Sequence, residues 1–154
     1  MHRLIVLSIL LAGVLLINHS EATEVKAEQG GLKVDTKGVT ATIKYEAVLQ
    51  GFLTDLNGKY KLRVTEITIA PGGHVGAHNH LGPGIRQMTT GTMEYILPDR
   101  AMTYGPGDFF FEAGDVSHRV VNNSTEPCTH ILFEVLPVEV ERPSLIPPRT
   151  PLKP

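Results

Sequence analysis

A single all-β domain, closed as a barrel or packed as a sandwich, is what the sequence predicts, and three observations predict it. The chain has 154 residues, 42% of them apolar, enough for one domain around one continuous core. Its fifteen glycines and eleven prolines suit short strands joined by tight turns, because Gly weakens helix interiors and Pro breaks them. Apolar and polar residues alternate with a period of two in one segment after another, and no segment longer than a turn or two carries a helical period. Many short, evenly spaced strands bury their faces and manage their edges only in a sandwich or a closed barrel. Charged residues make up 19% and the formal net charge is -2, so the chain lacks the electrostatic footprint of a nucleic-acid binder.

The first residues form a separate unit. Met1-His2-Arg3 is basic, and Leu4 to Ile17 is an apolar run too short to span a bilayer comfortably. Ser20 and Ala22 then stand in the small-x-small arrangement that signal peptidase reads, which predicts a signal peptide over residues 1–22. The other reading is an uncleaved N-terminal anchor. Both put the domain outside the cytoplasm, periplasmic or secreted, and cleavage leaves no stable membrane span. Cys128 is the only cysteine, which excludes an intrachain disulfide and suggests a small buried core residue.

The barrel domain is predicted over residues 23–142. After a polar lead-in from Thr23 to Gly31, Leu32-Lys33-Val34 and Val39 to Tyr45 alternate as strands, with turns at Lys37-Gly38 and Asn57-Gly58. Lys61 to Ala70 is the next strand. Its apolar residues change parity between Val64 and Ile67, as a bulge or a change of face would produce, and Pro71-Gly72-Gly73 should end it. Further strands are expected at Ile85 to Thr89, Met93 to Leu97, Asp108 to Phe111, Ser117 to Val121 and Thr129 to Leu136, each bounded by Gly, Pro or Asn turns. The Pro-rich tail, residues 143–154, should be extended, without a core of its own, strapped along the barrel surface.

Five histidines remain beyond the leader: His74, His78, His80, His118 and His130. His78 and His80 stand two apart, so on a strand their rings share a face and converge. A barrel can bring His118, on a later strand, opposite that pair. Imidazole is the commonest biological ligand of Zn, Fe, Ni and Cu, and three of them leave positions open for water or substrate.

The spacing around these residues carries more. Gly72, five residues, His78-Asn79-His80 and then Gly91 resembles the first motif of the cupins. Gly107, Gly114, His118 and Asn122, with three residues between the last two, resembles the second. The likeness runs roughly from Lys61 to Pro137 and implies a double-stranded β-helix, the cupin jelly-roll barrel, with one divalent metal ion (Fe, Mn, Ni or Zn) held by His78, His80 and His118. Two positions depart from the pattern. Gly84 stands where the first motif usually has a glutamate ligand, and Glu112-Ala113 replaces the proline of the second, where one extra residue separates Gly114 from His118. The alternative to a metal site is a metal-free cupin whose histidines line a polar pocket.

Counting in twos from Gly84 points Arg86 into the barrel, where its charge needs an anionic partner. That partner is either a buried carboxylate, from Glu66, Glu94, Glu112 or Glu134, or the carboxylate of a substrate. His74 shares the parity of His78 and His80 but lies near the turn, which suggests a rim position or plain exposure rather than ligation; His130 is read as a hydrogen-bonded barrel residue. Phe109-Phe110-Phe111 is read as barrel core and dimer surface, so a homodimer is one assembly it permits. Two functions remain open: a mononuclear metal enzyme acting on a small organic molecule, as an oxidoreductase, isomerase or hydrolase, and a module that binds a small molecule or sugar without turnover. No motif position supplies a general acid or base, and no catalytic residue is assigned. A storage role would need two barrels and does not suit this length.

Overall fold

The structure is a computed structural model that describes residues 23–24, 28–29 and 32–149. The predicted leader, the Ala22 cleavage point and the end of the tail, 150–154, lie outside the described residues. Among the described residues twelve strands run in order: β1 (Thr23–Glu24), β2 (Glu28–Gln29), β3 (Leu32–Lys33), β4 (Thr36–Val48), β5 (Tyr60–His80), β6 (Gly84–Thr90), β7 (Met93–Ile96), β8 (Ala101–Tyr104), β9 (Phe109–Glu112), β10 (His118–Val121), β11 (Cys128–Pro137) and β12 (Leu145–Ile146). No helix forms among the described residues, and therefore none long and apolar enough to cross a membrane. All pairings are antiparallel, and the main sheet curls in the order β8-β7-β10-β5-β11-β6-β9, with β4 and β12 also on β5. This is the predicted all-β jelly roll.

β5 is the hinge of the architecture. Its first half is flanked by β4 and β11, its second half by β10 with β12 at the end. The expected stop at Pro71-Gly72-Gly73 is instead a bend within one strand. Gly72 donates its N–H to the Asn122 carbonyl at 2.9 Å, and the Asn122 N–H returns to Gly73 O at 3.0 Å. The Asn122 side chain donates to Ile69 O at 2.9 Å, so the bend keeps its hydrogen bonds and the strand continues. Gly72 has φ 67°, and a Cβ on Gly73 would come within 2.7 Å of Lys37 O, which is why both are glycine.

The change of parity between Val64 and Ile67 has a different origin from either one expected. β5 keeps its parity, with Lys61, Arg63, Thr65 and Ile69 all buried, so two basic residues occupy inward positions and Val64 lies on the other face. The bulge is in the partner strand, between Ile43 and Tyr45 of β4. Ile69, Met88, Met93, Tyr95, Phe110, Val120 and Cys128 are core residues. Each large apolar side chain buried there contributes about 1.5–3 kcal/mol, which offsets the desolvation of the polar cluster described below. Phe110 points in and Phe109 and Phe111 point out, as strand alternation requires.

The tail is fastened more deeply than a surface strap. Leu145 and Ile146 pair with His80 and Asn79, and Ser144 and Ile146 are buried. Arg63, itself buried, donates to the carbonyls of Val140 and Arg142 and binds Glu46, so one guanidinium holds the chain leading into the tail.

Candidate metal centre

His78 and His80 lie at the end of β5 and His118 at the start of β10, where it sits directly across from His78 in the strand register. The third histidine thus comes from the neighbouring strand, opposite the first pair. All three are buried, and one ring nitrogen of each lies within 4.8 Å of the other two. A bulge between Val75 and His78 makes this possible, since residues 78 and 75 both face inward though three apart. The same bulge cancels the shared parity of His74, whose ring turns outward to Asp35 Oδ2 at 2.9 Å.

The tautomers follow from the hydrogen bonds. His78 Nδ1 lies 2.7 Å from Gly76 O and His118 Nδ1 lies 3.1 Å from Val116 O; a carbonyl only accepts, so both Nδ1 atoms carry the proton. His80 Nδ1 lies 2.9 Å from Ser144 Oγ, whose hydroxyl donates to Glu134, so this Nδ1 is the donor as well. At the other edge, His80 Nε2 faces Arg86 Nη2 at 3.1 Å and His118 Nε2 stands 3.1 Å from Glu112 Oε1. Fixing one nitrogen so that the other can bind is the usual outer support of a metal-ligating histidine. Burial, with His118 and His80 beside it, pushes His78 well below the ordinary histidine range, which keeps it uncharged at neutral pH.

The loop before His118 is pinned. Asn79, on the opposite face of β5, donates to Gly114 O at 3.0 Å and accepts from Ser117 Oγ at 2.7 Å, while the His80 N–H reaches Gly114 O at 3.0 Å. Tyr95 stacks on His118, ring centroids 4.6 Å apart.

Arg86 points inward as counted, and its partner is the protein carboxylate Glu112. Arg86 Nε is 2.7 Å from Glu112 Oε2, while Nη2 is 3.1 Å from His80 Nε2 and Nη1 donates to His130 Nε2. Burial alone would raise the Glu112 pKa, but the Arg86 guanidinium beside it holds it well below the usual carboxylate range. His130 is buried and hydrogen-bonded, as expected, and burial together with Arg86 holds it well below the ordinary histidine range. Beside this cluster lies a cavity of about 410 Å³, walled largely by aliphatic residues such as Ile67, Ile69, Val75, Leu132 and Leu145, with His78, His80, Arg86 and His130 at its polar end.

Sequence reasoning did not find Ser144, which nothing in a Pro-rich tail distinguishes. Glu134 and Glu112 were two of four candidate partners for Arg86, and strand register alone separates them: both lie directly across from Gly84, on β11 and β9.

The barrel, the paired motifs and the histidine cluster define a small single-barrel domain with a polar centre under an aliphatic cavity. A family model described as a cupin domain matches residues 65–134. Among solved structures, the chain resembles a polyketide cyclase from Streptomyces resistomycificus (20% identity, TM-score 0.55, 87% of this chain and 90% of that one). It also resembles a cupin 2 conserved barrel protein from Rhodopseudomonas palustris (10% identity, TM-score 0.57, 84% and 79%). A third is a sugar phosphate isomerase of the cupin superfamily from Silicibacter pomeroyi (19% identity, TM-score 0.54, 79% and 74%). A search of curated proteins finds no match. The match to the cupin model lies within the barrel, and the fold is that of the cupin structures it resembles.

Proposed function

We propose that this domain is a mononuclear metal enzyme acting on a small organic molecule, with His78, His80 and His118 as ligands of one divalent ion, Fe, Mn, Ni or Zn. The observation that carries it is the set of three buried rings, each with one nitrogen within 4.8 Å of the other two and each fixed by a hydrogen bond at Nδ1, beside a cavity of small-molecule size. When bound, such an ion supplies Lewis acidity or activates water or dioxygen. The aliphatic walls suit an apolar ring or chain, and the polar end suits one oxygen function. Arg86 lines the cavity, but a substrate carboxylate would have to share its guanidinium with Glu112, so Arg86 serves first to hold Glu112.

Elemental analysis of the purified full chain tests the site. The account expects one equivalent of metal in the wild type and little in His80→Ala, with the barrel still folded. Equal loading of both would remove these ligands from consideration. Incubation with small apolar compounds bearing a carbonyl, hydroxyl or carboxylate, followed by mass spectrometry, separates turnover from binding without turnover. Export is part of the same proposal: the secreted or periplasmic form should have an intact mass that begins at Thr23, and a mature form retaining Leu4 to Ile17 would refute cleavage.

A further inference from the structure

We propose that a second copy of this chain covers the outer face of the sheet formed by β9, β6, β11, β5 and β4, packed sheet on sheet. Phe111, Ile85, Phe133, Val64 and Tyr45 stand directly across from one another in the register of these five strands. Cross-strand partners share a face, so the row runs unbroken across the sheet, roughly 19 Å at the usual spacing between strands. Phe109, two residues from Phe111 on β9, widens it. Phe109, Phe111, Tyr45, Ile85 and Phe133 are each between 37% and 66% exposed.

An outer face turned to water alternates polar residues against the core. The other half of this barrel does so: Arg119 stands across from Ile96, and Glu94 from Thr103. On the face proposed here the charged residues are Lys44 and Glu66, which pair with each other at 3.0 Å. A membrane surface would be met by a row of basic residues, which this face lacks, whereas a copy of the same face is neutral and apolar and fits it about a two-fold axis near Phe133, the middle of the row. At 150–250 Å² per aromatic residue, the five exposed side chains alone present roughly 500 Å². With the half-buried Leu62, Val64, Ile131 and Val135 among them, the face approaches the about 800 Å² per partner of a standard interface.

The same strands carry the polar centre on their inner side. Phe111 precedes Glu112, Ile85 precedes Arg86 and Phe133 precedes Glu134, so each outer side chain backs a member of the inner network. The second copy therefore braces from outside the three strands whose register aligns those residues, whatever the site binds.

Sedimentation equilibrium of the full chain tests this, wild type against Ile85→Glu/Phe111→Glu, two exposed positions outside the core. The wild type should be a dimer with a dissociation constant of about 1 µM or tighter. The double variant should bind itself at least about 100-fold more weakly, with unchanged circular dichroism. A wild type that stays monomeric well above that concentration overturns the proposal, including one that binds neutral phosphatidylcholine vesicles instead. A double variant that dimerises as tightly as the wild type also overturns it, placing the contact elsewhere. Should the double variant fail to fold, hydrogen exchange of the wild type across a dilution series decides. Protection that rises with concentration on β6, β9 and β11 upholds the proposal, and protection that rises only on other strands overturns it.

Discussion

Two sides of the histidine cluster are held in different ways. His78 and His118 are each oriented by a backbone carbonyl two residues back, Gly76 O and Val116 O, so the strand that carries the ring also aims it. His80 is oriented by Ser144 and Glu134, and its Nε2 side is shared with Arg86 and Glu112, side chains from the tail, β11, β6 and β9. The first side is local and self-contained. The second is a network in which every member depends on another, so remote substitutions should damage it selectively.

The largest effect should come from Arg86→Met. It leaves the Glu112 carboxylate buried without its partner, which should cost about 3–5 kcal/mol in denaturant unfolding of the metal-free protein, and Arg86→Met/Glu112→Gln should recover most of that loss. A loss no greater than an exposed pair gives would dissolve the distinction between the two sides. Ser144→Ala comes next. It removes the hydroxyl that joins His80 Nδ1 to Glu134 and leaves only the longer 3.3 Å contact between them, so stability should fall by about 1–3 kcal/mol and metal affinity by about 10–100-fold, while the backbone-held pair keeps its orientation.

Acid should weaken the network through His130. Its pKa is depressed in the folded protein, so below the ordinary histidine value of about 6.5 the unfolded chain binds a proton that the folded chain does not. Stability should therefore fall as pH drops below that value, with a slope from this residue of at most about 1.4 kcal/mol per pH unit, and His130→Gln should remove that part of the slope. Smallest of all, His74→Ala should leave metal content unchanged, because that ring lies outside with the exposed Asp35.

What the sequence makes legible follows the same division. The convergence of His78 and His80 is a count of two along one strand, and the motif spacing brought in His118, both local patterns. The fold class was equally local, resting on alternation and turn residues. Continuity of β5 through Pro71-Gly72-Gly73 was not legible, because Asn122, some fifty residues on, satisfies the bend. The inward turn of Arg86 could be counted, yet its choice of Glu112 over three other glutamates depends on which strand lies beside β6, and register between distant strands is not written in either strand alone. His74 was read as a rim or exposed residue from its place near the turn, but the reason it leaves the shared parity was not legible: the bulge that aims His78 is a property of the pairing with β10.

The most direct measurement is a crystal of the full chain loaded with Zn(II) or Mn(II), with anomalous differences collected at the metal edge. The account predicts one peak per chain, bonded through Nε2 of His78, His80 and His118 at roughly 2.0 to 2.2 Å, with each Nδ1 still on its carbonyl or on Ser144. Absence of a peak among these rings, with Arg86 still donating to His80 Nε2, would contradict it and make the guanidinium the resident cation of the site.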